Sequence, residues 1–285
     1  MNIEKKVDLS TYTSLRIGGI AKNFYRPQTL EELKALTKEL DQYDVLGGGS
    51  NLLINDKSEF EHVIYMGDYE KDMLTINEGG IIKVSSSIKV QELLIFANKQ
   101  GYGGAEYLYS LPAMMGGIVA MNAGRGKSHH KNISDYVISV EVVENGILKK
   151  LSKETCGFAY RSSNFLKQNA VIHGVNLKFD KISVEEGKKR LKERLEVSKA
   201  KQAVNVPSAG SVFKKFNSKV MKLIRLLPKN KKGLYFSKKT PNWISNGGKG
   251  TYEDAMKLIN RARFYHKILG KEIELEWQIW TDKDR

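Results

Sequence analysis

The chain has 285 residues, enough for one large domain or two to three smaller ones, and it is 41% hydrophobic and 28% charged, as globular proteins are. A single cysteine excludes an internal disulfide, and the absence of any Cys/His cluster with metal-ligand spacing predicts no metal. The net charge of +15 suits nucleic acid, a membrane surface or small anionic ligands, but no nucleic-acid-binding motif accompanies it.

The opening sequence MNIEKKVDLS is charged where a secretory signal would be apolar, so we expect no export signal and a cytoplasmic protein. The longest apolar stretch, near residues 111–123, is interrupted by glycines and is too short to span a bilayer. We therefore expect no membrane partner and no nucleic-acid partner, and we expect a monomer.

The first part of the chain, residues 1–66, has short strand signals around one helix. The apolar positions of that helix are Leu30, Leu33, Leu36 and Leu40. It leads into YDVLGGGSNLLI, in which Gly47, Gly48 and Gly49 separate two strand-like runs. Glycine costs backbone entropy and packs nothing, so three together predict either a hairpin turn or a main chain that a ligand approaches closely.

The second part, residues 67–182, is mostly strand-like. IIKVSSSIKV is rich in β-formers, VQELLIFANKQG predicts a helix closed by Gly101, and YVISVEVVENGILKKLS predicts a hairpin that turns at Asn145-Gly146. AVIHGVNLKFD alternates apolar and polar residues, which predicts a half-buried strand.

The third part, residues 183–285, begins with the charged helix SVEEGKKRLKERLEVSKAKQ and continues with a basic amphipathic helix, KVMKLIRLL, ended by Pro228. Thr251 and Asp254 have the spacing of an N-cap and its third helical residue. The alternating sequence EIELEWQIW predicts a terminal strand. The three parts together predict an α+β fold.

A second glycine-rich stretch, YSLPAMMGGIVAMNAGRG, covers residues 109–126. Its small and loop-forming residues are Pro112, Gly116, Gly117, Asn122, Gly124 and Gly126. Such a loop exposes backbone N–H groups to a ligand, although a close-packed turn would have the same composition. Two such stretches between β-type segments favour a dinucleotide, and neither has the GxGxxG pattern of a nicotinamide dehydrogenase.

Two further stretches carry polar chemistry. In CGFAYRSSNFL, Arg161 either holds a carboxylate through two parallel N–H bonds or stacks on Tyr160 at the surface. In NVPSAGSVFKKF, Ser211 is not in a GxSxG elbow and has no convincing histidine partner. Its hydroxyl could still give a proton near a reacting carbon without being a nucleophile.

The motifs GGGSNLLI, SLPAMMGGIVAMNAG, FAYRSSNF, SAGSVFKK and ELEWQIW, with TSLRIGG ahead of them, occur in the order found in the UDP-N-acetylenolpyruvoylglucosamine reductase (MurB) family. The chain resembles that family closely over its first two-thirds and in patches beyond. The resemblance implies a two-lobed FAD-binding domain of the vanillyl-alcohol-oxidase (PCMH) type plus a smaller α+β substrate domain. The lobes would be residues 1–66 and 67–182, and the substrate domain residues 183–285.

By the same resemblance, NADPH reduces non-covalently bound FAD, and the flavin then gives a hydride to the enolpyruvyl β-carbon of a UDP-sugar in peptidoglycan precursor synthesis. Arg161 would bind the substrate carboxylate and Ser211 would protonate the α-carbon. Lys214 and Asn242 would bind substrate or cofactor. The implied FAD-binding residues are Gly47, Gly48, Gly49, Ser50, Asn51, Leu52, Ser110, Pro112, Ala113, Gly116, Gly117 and Asn122.

The chain departs from the family pattern in its third part. The glutamate of the family's terminal L-E-x-E strand aligns with Gln278, although Glu276, two residues earlier on the same face, could supply the carboxylate in a shifted register. Lys215-Phe216 stands where Asn-Pro is common, the glycine-rich A-G-L-K-G segment has become LLPKNKKGLYFS, and the HANF-like motif reads Thr240 to Trp243.

These departures leave two alternatives to the reductase. One is a flavoprotein of the same family that acts on a different substrate. The other is a non-catalytic nucleotide-binding protein that docks through the basic helix at residues 219–227.

Overall fold

The computed structural model describes residues 2–125, 131–167, 169–202, 206–226 and 233–282. The chain forms two compact units, each assembled from three segments. Unit 1 comprises Met1–Glu4, Asn23–Gly48 and His62–Val197. Unit 2 comprises Lys5–Lys22, Gly49–Glu61 and Ser198–Arg285. The division into domains at residues 66 and 182 stays a prediction.

A four-stranded sheet with the order β1-β2-β5-β3 begins the fold. Its strands are β1 (Asn2–Asp8), β2 (Ile20–Arg26), β3 (Asp44–Leu46) and β5 (Glu59–Tyr65). The chain passes between the two units inside β1, β2 and β5. β3 and β5 run parallel, with Asp44 opposite Val63.

Unit 1 contains a five-stranded antiparallel sheet with the order β12-β11-β13-β7-β6. Its strands are β6 (Leu74–Ile76), β7 (Ile81–Ser85), β11 (Val137–Glu144), β12 (Ile147–Ser152) and β13 (Val171–Lys178). Two short pairs are β8 (Tyr102–Gly103) with β14 (Asp180–Lys181), and β9 (Gly124–Arg125) with β10 (Lys131–Asn132).

The helices of unit 1 are α1 (Leu30–Glu39), α2 (Val90–Lys99) and α3 (Met115–Ala120), and α4 (Val184–Lys201) leads from unit 1 into unit 2. Three predicted local structures are confirmed here. The leucine helix is α1, α2 ends before Gly101 (φ 77°), and β11 and β12 form the hairpin that turns at Asn145 and Gly146, both with positive φ.

The predicted half-buried strand is β13, and its predicted exposure is wrong. All but two of its eight residues are buried, because β13 is the central strand and apolar clusters cover both of its faces. Its polar side chains are satisfied inside the fold. His173 contacts the Tyr69 hydroxyl, and the Asn176 amide donates to Ser139 Oγ (3.1 Å). Burial lowers the pKa of His173.

Unit 2 is built from short strands and two helices, α5 (Ser218–Ile224) and α6 (Tyr252–Ile268). The strand pairs are β4 (Leu52–Ile54) with β19 (Gln278–Trp280), β15 (Phe213–Lys215) with β18 (Glu274–Leu275), and β16 (Leu234–Phe236) with β17 (Ile244–Asn246). The helices pack together through Val220, Met221, Leu258 and Ile259 in one apolar cluster. Pro228, the predicted end of the basic helix, lies outside the described residues.

The predicted terminal strand is interrupted. Residues 274–275 pair antiparallel with β15, whereas residues 278–280 pair parallel with β4. Between them Trp277 is 3% exposed, and its indole N–H donates to Ala209 O (2.8 Å). Burial of the Trp277 side chain separates two short strands that have different partners.

Cys156 is a packed core residue. It is fully buried, and burial raises the pKa of its thiol to about 11.

In the described part of the chain, every helix is too short or too polar to cross a membrane.

Helix α6 begins with the predicted cap, and the cap makes a test of local stability. Thr251 Oγ1 accepts from Asp254 N (3.2 Å), and the Asp254 carboxylate accepts from Thr251 N (3.4 Å). We expect Thr251→Ala to lower the free energy of unfolding by about 1 kcal/mol. The measurement is urea denaturation, with Thr251→Ser as the variant that keeps the cap. Equal midpoints for the alanine and serine variants would contradict this role.

Candidate active site

The predicted site residues are divided between the two units. Unit 1 holds Gly47, Gly48, Ser110, Pro112, Ala113, Gly116, Gly117, Asn122 and Arg161. Unit 2 holds Gly49, Ser50, Asn51, Leu52, Ser211, Lys214, Asn242, Glu276 and Gln278.

The three glycines do not form a hairpin turn. β3, which precedes them, pairs with β5, and β4, which follows them, pairs with β19. Both pairings are parallel, and within the described sheets β3 and β4 are not neighbours. Of the two interpretations of YDVLGGGSNLLI, the structure excludes the hairpin, so the glycines need another explanation.

Gly49 is required by the protein itself. Its φ is 56°, and a Cβ there would lie 2.2 Å from Tyr12 O. Its carbonyl accepts from Ser14 N (3.0 Å), which holds the loop against residues 12–14. Only glycine combines this conformation with so close an approach of backbone.

Gly47 is different, because nothing in the protein requires it to be glycine. A Cβ there would meet no atom of the described residues within 4 Å, and its φ is not positive. Gly117, in α3, has the same two properties. A bare main chain facing open space at two positions is what a ligand lying against the backbone would require.

The two glycine-rich stretches meet at Gly48. A Cβ on Gly48 would lie 3.5 Å from Pro112 O and 3.8 Å from the Met114 side chain. The second stretch is held in turn by Gly116 N, which donates to Ser86 O (2.8 Å), and by Ala113 O, which accepts from Val90 N (3.0 Å). In unit 1 the structure therefore brings together Gly48 and the Pro112 loop, as the shared-ligand interpretation expects.

Three hydroxyl groups of unit 1 are buried and have no hydrogen-bond partner in the described part of the chain: Ser86 Oγ, Ser110 Oγ and Tyr107 Oη. Buried polar groups are normally paired, so these atoms call for a ligand or ordered water. Ser110 was predicted from the sequence. Ser86 and Tyr107 were missed, although the run Ser85-Ser86-Ser87 after a strand was a usable signal.

Arg161 occupies a strained turn that Asn122 supports. Both residues have positive φ, 54° and 42°, which is uncommon outside glycine. The Asn122 amide donates to Ala159 O (3.0 Å), and its Oδ1 accepts from Ser134 N (3.2 Å). The Asn122 side chain thus joins the loop before β9 to the turn that carries Arg161. Gly126, at the end of that stretch, lies outside the described residues.

The Arg161 guanidinium is oriented by contacts on two sides. It donates to Asn122 O (3.3 Å) and to Gly124 O (2.6 Å), and its Cζ lies 4.9 Å from the centroid of the Tyr160 ring. The stacking predicted as one alternative is present. A carboxylate-binding role for Arg161 is compatible with it, since guanidinium has five donors, and stays a prediction.

In unit 2, Ser211 lies at the edge of a small hydrogen-bonded framework. It forms an isolated bridge with Trp243, and Gly210 before it has a φ of 71°. Val212 N donates to Asn242 O (2.8 Å), and the Asn242 side chain bonds both N–H and C=O of Phe213 (3.0 and 2.8 Å). Asn242, predicted to bind substrate, thus fixes the backbone that presents Ser211.

Glu276 is bonded to the same framework. Its N–H donates to Val212 O (2.8 Å), next in the chain to Ser211, and its carbonyl accepts from the Asn51 amide (3.1 Å). Gln278 is held one step further on, where its N–H donates to Asn51 O (3.0 Å). Asn51, the last residue of GGGSN, therefore contacts the terminal segment of the chain.

Lys214, predicted to grip a phosphate or the nicotinamide cofactor, is paired with Glu274 at 2.6 Å. Lys215, where the family has asparagine, pairs with Glu272. Half of the third departure, residues 227–232 of 226–237, lies outside the described residues. In the described part of the chain, no group of three or more His, Cys, Asp or Glu side chains could hold a metal ion.

Comparison with known proteins defines the class. Residues 21–151 match the model of an FAD binding domain. The chain is 31% identical to UDP-N-acetylenolpyruvoylglucosamine reductase of Thermotoga maritima, over 97% of this chain and 98% of that protein. It is 32% identical to the reductase of the same name from Carboxydothermus hydrogenoformans, over 90% and 86%. The crystal structure of that reductase (MurB) from Thermus caldophilus superposes with a TM-score of 0.81 at 29% identity, over 98% and 99% of the two chains.

The chain is an FAD-dependent oxidoreductase. It belongs to the UDP-N-acetylenolpyruvoylglucosamine reductase family. The predicted α+β fold, with an FAD-binding domain of the vanillyl-alcohol-oxidase type and a smaller substrate domain, is confirmed. The residues present fit FAD, because bare backbone at Gly47 and Gly117 and unpaired buried hydroxyls at Ser86 and Ser110 leave both room and hydrogen-bonding capacity.

Substituting the glycines distinguishes positions that must be glycine for FAD to bind from positions that must be glycine for the chain to fold. We expect Gly117→Ala to raise the free energy of unfolding of the FAD-free protein by about 0.5–1 kcal/mol, because glycine is unfavourable in a helix. The added methyl should weaken FAD binding by about tenfold or more through overpacking. Gly49→Ala, as the contrast, should destabilise the FAD-free protein.

The measurements are urea denaturation of the FAD-free variants and FAD titration followed by flavin fluorescence. Unchanged FAD affinity in both Gly117→Ala and Gly47→Ala would contradict the assignment of these positions to FAD.

Proposed function

We propose that the protein reduces UDP-N-acetylglucosamine enolpyruvate to UDP-N-acetylmuramate, with NADPH as reductant and FAD as the bound cofactor, in peptidoglycan precursor synthesis. The observation that carries the proposal is the main-chain hydrogen bond from Glu276 N to Val212 O, which brings the backbone of an acidic residue next to the backbone of Ser211. The family relationship over nearly the whole chain supports the same substrate.

When bound, FAD supplies the hydride-transfer chemistry, and the protein supplies binding, orientation and protons. The N–H groups of residues 47–51 would hold the FAD pyrophosphate, since a bare main chain can approach its oxygens closely. The Pro112–Asn122 loop, with Ser110, would also bind the cofactor. Leu52, the first residue of β4, is buried and pairs with Gln278, which fixes the end of the first loop.

Reduction adds a hydride to the enolpyruvyl β-carbon and a proton to the α-carbon, so negative charge grows on the substrate carboxylate between the two events. Arg161 binds that carboxylate, and its orientation by Asn122 O, Gly124 O and the Tyr160 ring means that little reorganisation is needed. Ser211 gives its hydroxyl proton to the α-carbon.

Glu276, rather than Gln278, acts as the carboxylate that assists Ser211. Two contacts support this choice. The main-chain N–H of Glu276 donates to Val212 O, next in the chain to Ser211, whereas the main-chain N–H of Gln278 donates to Asn51 O and Gln278 pairs with Leu52 in a parallel ladder. In this proposal Glu276, in the shifted register, takes the role of the family glutamate, although the predicted alignment gives that position to Gln278.

The proposed function is tested by stopped-flow absorbance of the flavin without oxygen. NADPH should bleach the visible flavin band, and UDP-N-acetylglucosamine enolpyruvate added afterwards should restore it rapidly. A flavin that NADPH reduces but that this substrate leaves reduced would overturn the proposal in favour of a different acceptor. A flavin that NADPH does not reduce would overturn the choice of reductant.

Removing the Ser211 hydroxyl should affect one half-reaction only. We expect Ser211→Ala to leave reduction by NADPH unchanged and to slow reoxidation by substrate by about 10²–10⁴-fold, the usual range for a lost proton donor. The same stopped-flow measurement follows both steps. Ser218→Ala, an exposed serine of unit 2, is the matched control. If reoxidation of Ser211→Ala equals that of the control, Ser211 is not the donor.

Substitutions at Glu276 and at Gln278 distinguish which of the two positions supplies the carboxylate. Glu276→Gln should slow reoxidation by about 10²-fold, because an amide cannot transfer a proton. Gln278→Glu should give no increase in that rate, because the carboxylate is already supplied. A faster Gln278→Glu enzyme together with an unaffected Glu276→Gln enzyme would reverse the assignment.

A further inference from the structure

Unit 2 has a basic surface on the outer sides of α5 and α6 that the reductase function does not use. Residues 206–226 contain five Lys or Arg residues and no acidic residue, and residues 255–271 contain another five and again none. Lys214 and Lys215 are neutralised by Glu274 and Glu272. The other cations, all exposed, are Lys219, Lys222, Lys257, Arg263, Lys267 and Lys271, of which Lys257 lies 3.8 Å from Asp254 Oδ1.

Large apolar side chains are exposed on the same helices. Leu226, just after α5, is 78% exposed, Ile268 is 62% exposed and Phe264 is 58% exposed. Leu223 and Leu269 are also exposed. Exposed apolar residues are ordinary when scattered singly, but a group on two adjacent helices marks an interaction surface.

The two helices are held as one body. Their inner sides pack together in the apolar cluster of unit 2, and Asn217 N, at the start of α5, donates to His266 Nε2 (3.0 Å) in the last turn of α6. The exposed apolar residues follow helical spacing, since Phe264 and Ile268 are four residues apart and Leu223 and Leu226 three. Each helix therefore presents apolar residues with lysines beside them.

We propose that this basic apolar surface, formed by Leu223, Leu226, Phe264, Ile268 and Leu269 with the six exposed cations, docks the protein on an anionic lipid bilayer. Leucine, isoleucine and phenylalanine would enter the boundary between headgroups and acyl chains, and the cations would bind lipid phosphates. No covalent step and no spanning segment is involved. The proposal revises the expectation of no membrane partner.

The composition favours a lipid surface over a macromolecular partner. The centres of protein–protein interfaces are depleted in lysine, whereas lysines here lie between the apolar residues. Nucleic-acid surfaces use aromatic side chains to stack bases, whereas four of these five apolar residues are aliphatic. Interfacial membrane helices combine Lys and Arg with Leu and Phe in this way.

The test is co-sedimentation of the FAD-loaded full chain with vesicles of phosphatidylcholine alone, or with roughly one-third phosphatidylglycerol, at low and high salt. We expect binding to the anionic vesicles, little binding to the neutral ones, and loss of binding at high salt, which screens the charges. No binding to anionic vesicles at low salt, or equal binding to both kinds, would overturn the proposal.

The charge contribution is tested by Lys222→Glu with Lys267→Glu. The double variant should bind anionic vesicles at least about tenfold less tightly, because each basic residue near such a surface contributes measurably. Lys99→Glu with Lys178→Glu changes the net charge equally at exposed positions of unit 1 and should keep most of the binding. Equal loss in both double variants would mean that net charge alone attracts the protein, and the surface assignment would fail.

The apolar contribution is tested by Leu226→Ser against Ile147→Ser, an exposed apolar residue of unit 1. Only Leu226→Ser should weaken vesicle binding, while both variants keep FAD and turnover. Sedimentation velocity without lipid completes the test. If the chain self-associates without lipid and Leu226→Ser abolishes the association, the surface binds a second copy of the chain and not a bilayer. If duplex nucleic acid competes with vesicles and its binding is unaffected by Leu226→Ser, the partner is a nucleic acid and not a bilayer.

Discussion

The site depends on glycines at positions where contacts within the described part of the protein do not require glycine. At Gly47 and Gly117 a Cβ would meet no atom of the described residues within 4 Å, yet both positions are glycine, with its entropy cost. The backbone next to Gly47 is held in place by contacts of the two glycines that follow it. Gly49 lies against Tyr12 and accepts a hydrogen bond from Ser14 N, and Gly48 contacts the Pro112 loop.

Two of the residues assigned to the site, one to FAD and one to substrate, have a strained backbone. Asn122 and Arg161 both have left-handed backbone conformations, which cost on the order of 1–3 kcal/mol each and persist only when the surroundings fix them. The Asn122 amide bonds two other segments, and Arg161 donates to two carbonyl oxygens in return. The guanidinium is thus positioned before any ligand arrives, which is what stabilisation of a growing charge requires.

Local signals in the sequence predicted local structure well. The leucine spacing of α1, the Asn145-Gly146 turn and the Thr251 cap depend on neighbours in the chain, and all three are confirmed. The burial of β13 and the break at Trp277 depend on distant partners, such as Tyr69 for His173 and Ala209 for Trp277. The alternating pattern contains no information about those partners, and for the same reason it could not choose between Glu276 and Gln278.

The central claim is that FAD is bound through backbone N–H groups at the bare glycines, and it can be measured residue by residue. Amide resonances of the deuterated, ¹⁵N-labelled FAD-free protein would be followed as FAD is added. The account predicts large shifts or broadening at Gly47, Gly48 and Gly117, and none at Gly146 in the β11–β12 hairpin. Saturable FAD binding that leaves the amides of Gly47, Gly48 and Gly117 unmoved would contradict it.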